Sequence, residues 1–472
     1  MTRFFAPAVE AAADEIAEAA LQHALFAPAA IRVAGGAFHV TVVAAPAGAG
    51  KTYFVGSFVQ AALAANGSAV RSVAVSTPTN SQAFDLVRSL AQRLPDGVQL
   101  GYLPARSVVS DPDPDKRVPQ DLYSIANVDV LDRSTDANSY SVIVGTIDKL
   151  GDACARGDLE TFRTLGLDEA YQADASKYYR VADLAPRHLL VGDPGQLDPW
   201  STIGSADRWR GQPEDPLQTA VGVILRNHGT AVVPFRLPIT RRLPSTAIPV
   251  AAAFYPEHRF DAWTVPGARR MRLLDTIGTS RAIDGVLDSA AQRGWAHLQL
   301  PGISTLPDDP DIVERLVDLT GRVLARGAEV SSESTEGRFE RLRAARIAIG
   351  VSHTVQRDAV RDGLDAAGVG GVRVDTANRL QGLEFDLVLA WHPLAGLPSS
   401  DEWQLDPGRM CVLLSRHRHA CIVVGRSDAD MLLGTVPPPA ETYLGTTLDP
   451  VTEGWFAHKA AIRELAPFTV SA

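Results

Sequence analysis

Val40-Thr-Val-Val-Ala-Ala-Pro-Ala-Gly-Ala-Gly-Lys-Thr52 decides how the rest of this chain is read. Val40, Val42 and Val43 form an apolar run that predicts a buried strand, and helix-compatible sequence comes after Thr52. A glycine-rich turn between strand and helix leaves backbone N–H groups free to surround phosphate oxygens at the positive end of the helix. Ala47, Gly48, Ala49 and Gly50 would form that cradle. Lys51 would reach the β- and γ-phosphates of ATP, and Thr52 would hold Mg²⁺. The usual first glycine of such a loop is Ala45 here. The Gly-Lys-Thr triplet gains its meaning from its place between strand and helix and from the motifs downstream of it.

Composition bounds the rest. A chain of 472 residues is too long for one core and predicts two or three domains. Its mean hydropathy is close to zero and no apolar run reaches membrane-spanning length. Glu10, Asp14, Glu15 and Glu18 stand where a secretory leader would be uncharged. Cys154, Cys411 and Cys421 have no metal spacing and frame no disulfides, so a reducing cytoplasm is expected. The net charge of −10 argues against coating nucleic acid through bulk electrostatics, yet leaves room for a narrow basic groove. Abundant Ala and Arg with little Lys suggest a high-GC bacterial or phage source.

Along the chain, residues 7–27 read as an amphipathic helix with Val9, Ile16, Leu21, Leu25 and Phe26 on one face. Residues 31–43 read as a hairpin around Gly35-Gly36. Short β-runs then alternate with helical segments at 72–76, 140–144, 164–167 and 188–191, which predicts a parallel sheet covered by helices. Residues 103–139 read as an insertion or mobile loop. A second alternating region runs from about 343 to 426 (346–351, 371–374, 387–390, 422–424), and 263–340 reads as irregular and partly helical. Of the tail 427–472, residues 455–465 read as a short helix that either packs on the core, the reading preferred, or binds a partner. The expected boundaries are 1–230 and 231–472.

Leu165-Gly-Leu-Asp-Glu-Ala-Tyr-Gln172 ends an apolar run with two acids. Beside a phosphate loop, an acid at a strand end holds Mg²⁺ and a second carboxylate activates the attacking water, roles that fit Asp168 and Glu169. Acids are also favoured at any helix N-terminus; position after the loop selects the catalytic reading. His188-Leu-Leu-Val-Gly-Asp-Pro-Gly-Gln-Leu-Asp-Pro199 then places Gln196 just past a strand's C-terminal end, the edge where open α/β sheets bind ligands. An amide there can touch the γ-phosphate and report hydrolysis to a neighbouring element.

Taken in order, these segments resemble a superfamily 1 helicase, over about residues 40–426. Val73-Ala-Val-Ser-Thr-Pro-Thr-Asn80 is similar to motif Ia, and Val142-Ile-Val-Gly-Thr-Ile-Asp-Lys-Leu150 to motif Ic. Asp168-Glu-Ala-Tyr-Gln172 resembles motif II, and Gly192-Asp-Pro-Gly-Gln-Leu197 motif III. Residues 347–356 resemble the opening of the second core domain in the nonsense-decay group. Residues 374–386 look like motif V, and Val412-Leu-Leu-Ser-Arg-His-Arg418 like a viral-type motif VI. The resemblance implies an α/β fold of two RecA-like parallel-sheet domains with the nucleotide site in the cleft between them. It implies Arg416 as the arginine finger, with a second from Thr240-Arg-Arg-Leu-Pro244, where Arg241 and Arg242 both remain open. By the same resemblance Glu384 contacts the ribose, Gln381 and Gly382 lie near the phosphates, and Thr77, Thr79, Asn80, Thr376 and Arg379 touch the strand.

Two departures qualify that pattern. Only some 40 residues precede the loop, where this B branch usually has an accessory barrel and stalk, and no large insertion interrupts the second core region. Gln22 is the one candidate for a base-reading glutamine upstream of the loop. Trp200 and Trp209 come after motif III, where stacking on bases and plain core packing both fit. His417 and His419 read as packing residues. The expected activity is an ATP- and Mg²⁺-dependent translocase or helicase on single-stranded nucleic acid, DNA rather than RNA, moving 5′ to 3′. The alternative is a nucleotide-dependent switch or assembly ATPase that works through a protein partner.

Overall fold

The computed structural model describes residues 4–5, 7–33, 36–66, 69–109, 117–196, 218–232, 234–275, 282–400, 402–435 and 450–471. The chain divides into two compact units. The first comprises Ala11–Pro194 and Asp198–Leu237, and the second Met1–Glu10, Gly195–Leu197 and Pro238–Ala472. Among the described residues no helix is long and apolar enough to cross a membrane.

The first unit is built on β1 (Ile31–Val33), β2 (Gly36–Ala44), β3 (Val73–Thr77), β4 (Leu100–Leu103), β5 (Val128–Val130), β6 (Val142–Thr146), β7 (Thr164–Leu167), β8 (Arg187–Gly192) and β9 (Pro234–Arg236). Their order is β1-β2-β8-β7-β3-β6-β4-β5, with β9 also paired to β2. Only the β1–β2 hairpin is antiparallel. Alternation along each strand supplies two cores. Val43, Val75, Val144, Leu189 and Val191 enter one, while Val42, Ala74, Ile143, Leu165 and Leu190 enter the other. Helices α1 (Pro7–Phe26), α2 (Lys51–Asn66) and α3 (Asn80–Ala91) contribute to the first of these cores. The fully buried face of α1 is a row of alanines, Ala13, Ala20 and Ala24, whereas Phe26 is exposed. Small side chains let that helix lie close to the sheet, so the larger residues expected to lead the face sit at its margins.

Residues 103–139 differ from the expected insertion. Their described part adds β5 as a parallel edge strand on β4 and buries Leu122, Leu131 and Ala137 in the unit's cores. The Asp-Pro-rich run 110–116 lies outside the described residues. The polar turns concealed a strand only three residues long, too short to show periodicity.

The second unit carries β10 (Trp295–Leu300), β11 (Ile347–Val351), β12 (Arg373–Thr376), β13 (Phe385–Trp391), β14 (His417–Arg426) and β15 (Thr469–Ser471). They form an all-parallel sheet in the order β12-β11-β13-β14-β10-β15. Ile349, Leu389 and Ile422 face one core; Ala348, Val388 and Val423 face the other. The stretch 263–340, expected to be irregular and partly helical, carries the helices Ala282–Arg293 and Pro310–Ala325 and also β10 and a small antiparallel sheet of 270–273, 328–331 and 340–341. Trp-Ala-His-Leu-Gln-Leu mixes polar with apolar positions, and its neighbours β14 and β15 lie far along the chain. Tertiary pairing, not local pattern, makes it a strand. At the end of the chain α4 (Pro450–Leu465) buries Ala461 and Leu465 in the unit's core, as expected for the tail helix.

Candidate nucleotide and strand site

In the first unit the loop after β2 is anchored by the Ala45 N–H, which donates to the Gly192 carbonyl at 2.8 Å, and closed by a turn from the Ala49 N–H to Pro46 O at 2.9 Å. Gly48 (φ 75°) and Gly50 (φ 89°) take left-handed conformations that a side chain resists. Ala45 does not, and its methyl is fully buried; alanine is therefore tolerated where a glycine is usual. Helix α2 starts at Lys51, leaving Thr52 exposed on its first turn.

Three strand ends meet that loop. Lys51 Nζ lies 3.6 Å from Glu169 Oε1 and 3.6 Å from Asp193 Oδ2. Asp168 directly follows β7 and is almost fully buried. Its carboxyl titrates well above the usual range because burial, then the neighbouring Glu169 charge, outweighs the attraction of Lys51. Glu169 occupies a left-handed conformation (φ 54°, ψ 42°), unusual for a side-chain-bearing residue, and its N–H donates to Asp168 Oδ1 at 3.0 Å. A Cβ on Gly192 would come within 2.7 Å of Tyr171 and 2.9 Å of the Ala170 nitrogen, so only glycine lets β8 pass this turn. Backbone strain concentrated at one carboxylate is a mark of functional positioning.

This donor set fits a divalent cation. Asp168 and Glu169 crowd two carboxylates against a single ammonium, and the Thr52 hydroxyl and Asp168 carboxylate are the hard oxygen ligands that Mg²⁺ takes. Among the described residues no group of three or more His, Cys, Asp or Glu is arranged to hold a metal.

In the second unit the expected residues come from several separate segments. Gln196 accepts from Gln381 Nε2 at 2.6 Å. Arg416 joins the helix Pro407–Leu414 to β14 and is completely buried. Its Nε donates to Val412 O at 3.2 Å, while Nη1 and Nη2 have no hydrogen-bond partner. A buried guanidinium so placed has the chemistry of an anion receptor. Arg241 and Arg242 separate clearly. Arg241 lies over the Trp263 ring at 4.8 Å and pairs with Glu10 at 3.7 Å. Arg242 sits beside the motif V residues, its Nη2 donating to Gly382 O at 3.4 Å and its Nε 3.5 Å from Glu384 Oε2.

Residues outside every motif tie this cluster together. Arg269 Nη2 donates to Arg241 O at 2.7 Å and its Nη1 to Arg242 O, pinning both carbonyls of the pair. Arg269 also holds Glu333 by two bonds, 2.6 and 3.0 Å. Glu333 in turn holds Arg418 at 2.6 Å, and Arg418 reaches Glu384 at 3.2 Å. Burial raises the Glu333 carboxyl, but the Arg269 hydrogen bond and the Arg418 charge more than offset this and leave it below the usual range. Sequence reading missed Asp193, Arg269 and Glu333. Asp193 could have been found, since it stands within the Gly-Asp-Pro turn; Arg269 and Glu333 carry no local signal.

The expected strand contacts are of two kinds. The Thr77 side chain is buried and donates to Thr79 O at 3.0 Å; Thr79 caps α3 in a reciprocal box with Gln82. The buried Asn80 Oδ1 has no partner. Thr376 precedes the turn Ala377–Leu380, and Arg379 is exposed, 3.9 Å from Asp375. Gln22 bonds Glu18 on its own helix face at 2.8 Å, and Trp200, Trp209 and Leu197 lie outside the described residues. His417 packs edge-on to Trp295, and burial depresses its pKa to about 3.

No protein-family model and no curated protein sequence matches the chain. Among solved structures it is similar to the PRRSV helicase, with TM-score 0.40 and 14% identity, over 90% of this chain and 57% of that one. It is similar to the arterivirus nonstructural protein 10 helicase solved with DNA, with TM-score 0.40 and 16% identity, over 88% of this chain and 64% of that one. A variant of S. cerevisiae Dbp5 bound to RNA and ADP BeF3 gives TM-score 0.40 and 12% identity over 97% and 89%. The chain thus spans less than two thirds of the length of the two viral helicases it matches.

Proposed function

We propose that the chain is an ATPase that couples hydrolysis to movement along single-stranded nucleic acid, DNA in preference to RNA, in the 5′-to-3′ direction. The observation that carries the ATPase reading is the convergence of Lys51, Asp168, Glu169 and Asp193 on the glycine turn of β2. Lys51 would bind the β- and γ-phosphates, Thr52 and Asp168 would hold Mg²⁺, and Glu169 would orient and deprotonate the attacking water. When bound, the cation supplies charge neutralisation between the phosphates. Glu169 suits its role because its strained backbone fixes the carboxylate at the turn, beside the Lys51 ammonium. Arg416 and Arg242 are the candidate transition-state cations. The direction and the preference for DNA come from the motif resemblance and the composition.

Steady-state hydrolysis with and without single-stranded DNA or RNA tests this. Lys51→Ala should lower turnover by about 10²-fold or more, as loss of a preorganised transition-state group does. Glu169→Gln should bind ATP yet not turn it over. Stimulation by a polymer in wild type alone supports the motor. Lys51-dependent hydrolysis indifferent to both polymers supports instead the protein-coupled switch, which the net charge of −10 favours.

A further inference from the structure

Helix α3 opens on a capping box whose second half does more than cap. Thr79 stands at the N-cap, and the Gln82 side chain reaches back to it from the third helical position. Gln82 Oε1 accepts both Thr79 donors, the N–H at 3.1 Å and the hydroxyl at 2.9 Å, while the Gln82 N–H donates to Thr79 Oγ1 at 3.4 Å. That task needs only the side-chain oxygen, and a glutamate performs it equally well. The amide nitrogen is what sets a glutamine apart here. Its Nε2 donates at 3.0 Å to Oε1 of Gln172, 90 positions further along the chain.

Gln172 ends the one-turn segment 170–172 that follows Glu169, and its N–H donates to Glu169 O at 2.9 Å. The main chain makes a second link between the same two places. The Asp168 N–H donates to Ser76 O at 2.9 Å, where β3 runs beside β7. The segments 76–82 and 168–172 are thus joined twice, by backbone on one side and by two side-chain amides on the other. The amide link is incomplete. Gln172 Nε2 is buried without a hydrogen-bond partner, and so are Ser76 Oγ and Asn80 Oδ1 on the β3 side. Buried polar atoms left so are rare and costly. A junction with a spare donor can exchange partners without losing a bond.

We propose that Gln82 and Gln172 are positioning residues that transmit occupancy of the Thr77–Asn80 edge to the Glu169 carboxylate. The inference rests on the motor reading and adds to it the contact through which a bound polymer raises hydrolysis. A phosphate oxygen is an acceptor of the same kind as Gln82 Oε1. When it takes the Thr79 N–H and hydroxyl, Gln82 Oε1 is released, and the spare Gln172 Nε2 donates to it. The two amides then hold each other by two bonds in place of one, and the turn that carries Glu169 is fixed more firmly. Thr79 has one acceptor or the other, so the change is between two discrete arrangements that both sites bias.

The test is ATP hydrolysis by the full chain, without polymer and with saturating oligothymidylate or oligouridylate, read for each variant as the ratio of stimulated to basal turnover. Gln82→Glu keeps the capping acceptor and loses the donor to Gln172; Gln172→Leu loses the acceptor. Each should cut the ratio about fivefold or more, the lower end of coupling between two sites. The double variant should lose no more than either single one, because residues that act as a unit are not additive. Gln82→Glu also places a negative charge near the strand, so polymer affinity is compared by anisotropy in Gln172→Leu, where Kd should stay within about twofold of wild type. Full stimulation in both single variants, with wild type stimulated, would overturn the role of the pair and leave the motor reading standing. A Gln172→Leu whose polymer affinity falls as far as its stimulation would overturn it too, since the pair would then only shape the strand contact. So would a lower melting temperature and basal turnover at an unchanged ratio, which is the mark of a purely structural bond. A wild type whose hydrolysis ignores both polymers removes the motor reading, and this proposal with it.

Discussion

The two units solve similar problems of placement by different means. In the first, Lys51, Asp168, Glu169 and Asp193 each stand within a few residues of a strand's C-terminal end, and parallel pairing alone brings the ends together. In the second, Glu384 and Arg416 precede β13 and β14, at their N-terminal ends, and Arg242 comes from a separate turn. There the sheet does only part of the positioning, setting Glu384 beside Arg416 through the Phe385–His417 register. A chain of ion pairs, Arg269–Glu333–Arg418–Glu384–Arg242, does the rest over 34 to 142 positions of sequence. One site is assembled by backbone topology and the other by side-chain electrostatics.

The sharpest way to break this contrast is Arg416→Met. A buried guanidinium without partners for Nη1 and Nη2 is costly to keep, and replacing buried charge by apolar volume is often neutral or stabilising. If Arg416 serves transition-state charge, turnover should fall by about 10³-fold, the scale of an arginine finger, while the melting temperature holds or rises. Loss of stability together with retained turnover would make Arg416 a structural residue.

A smaller effect is expected at the brace. Glu333→Gln removes the carboxylate shared by Arg269 and Arg418 while keeping its volume, and should cost about 1–3 kcal/mol of stability in a partly buried network. Because Glu333 acts on Arg242 through Arg269, Arg418 and Glu384, kcat should drop about tenfold with KM for ATP little changed, the pattern of an interaction made in the transition state. Glu333→Asp, which keeps the charge, should recover part of kcat. Equal losses in both variants would mean that Glu333 supports the fold and not the arginine.

This difference also explains what the sequence could disclose. The placement of Lys51, Asp168, Glu169 and Gln196 beyond strand ends was legible because each comes after an apolar run, so local pattern predicts both the strand and where it ends. Ala45 looked like a defect and is none, since its backbone is not left-handed. Arg241 and Arg242 could not be ranked from spacing; only the Trp263 ring and the Glu384 carboxylate distinguish them. Strand β10 and Glu333 stayed hidden because their partners are remote, and β5 because three residues carry no period. Periodicity reports contacts made along the chain, and the second unit depends on contacts made across it.

The mildest expected effect concerns acid. The second unit buries three histidines in neutral form: His392 well below its usual pKa, His417 at about 3 and His458 at about 4, each mainly through burial. His392 Nδ1 accepts from the Leu394 N–H, and neither ring nitrogen of His417 or His458 has a well-formed hydrogen bond, so little compensates a proton there. The first unit has one group depressed as far, His188, at about 4, bonded to Tyr178 and to Ala185 O, while burial lowers His23 and His39 there, and His297 in the second unit, to a smaller extent. A histidine whose folded pKa is depressed leaves the unfolded chain holding more protons between the two values. Stability is therefore fully present above about pH 6.5 and is lost as pH falls toward 4, by up to about 1.4 kcal/mol per pH unit for each group. With three strongly depressed groups against one, the second unit should open first. Five of the seven tryptophans, Trp263, Trp295, Trp391, Trp403 and Trp455, belong to it, so tryptophan emission should shift at higher pH than far-ultraviolet dichroism does. Coincident transitions would show that the units unfold together, and His458→Phe, which removes one titrating group from the interior, should move the emission midpoint to lower pH.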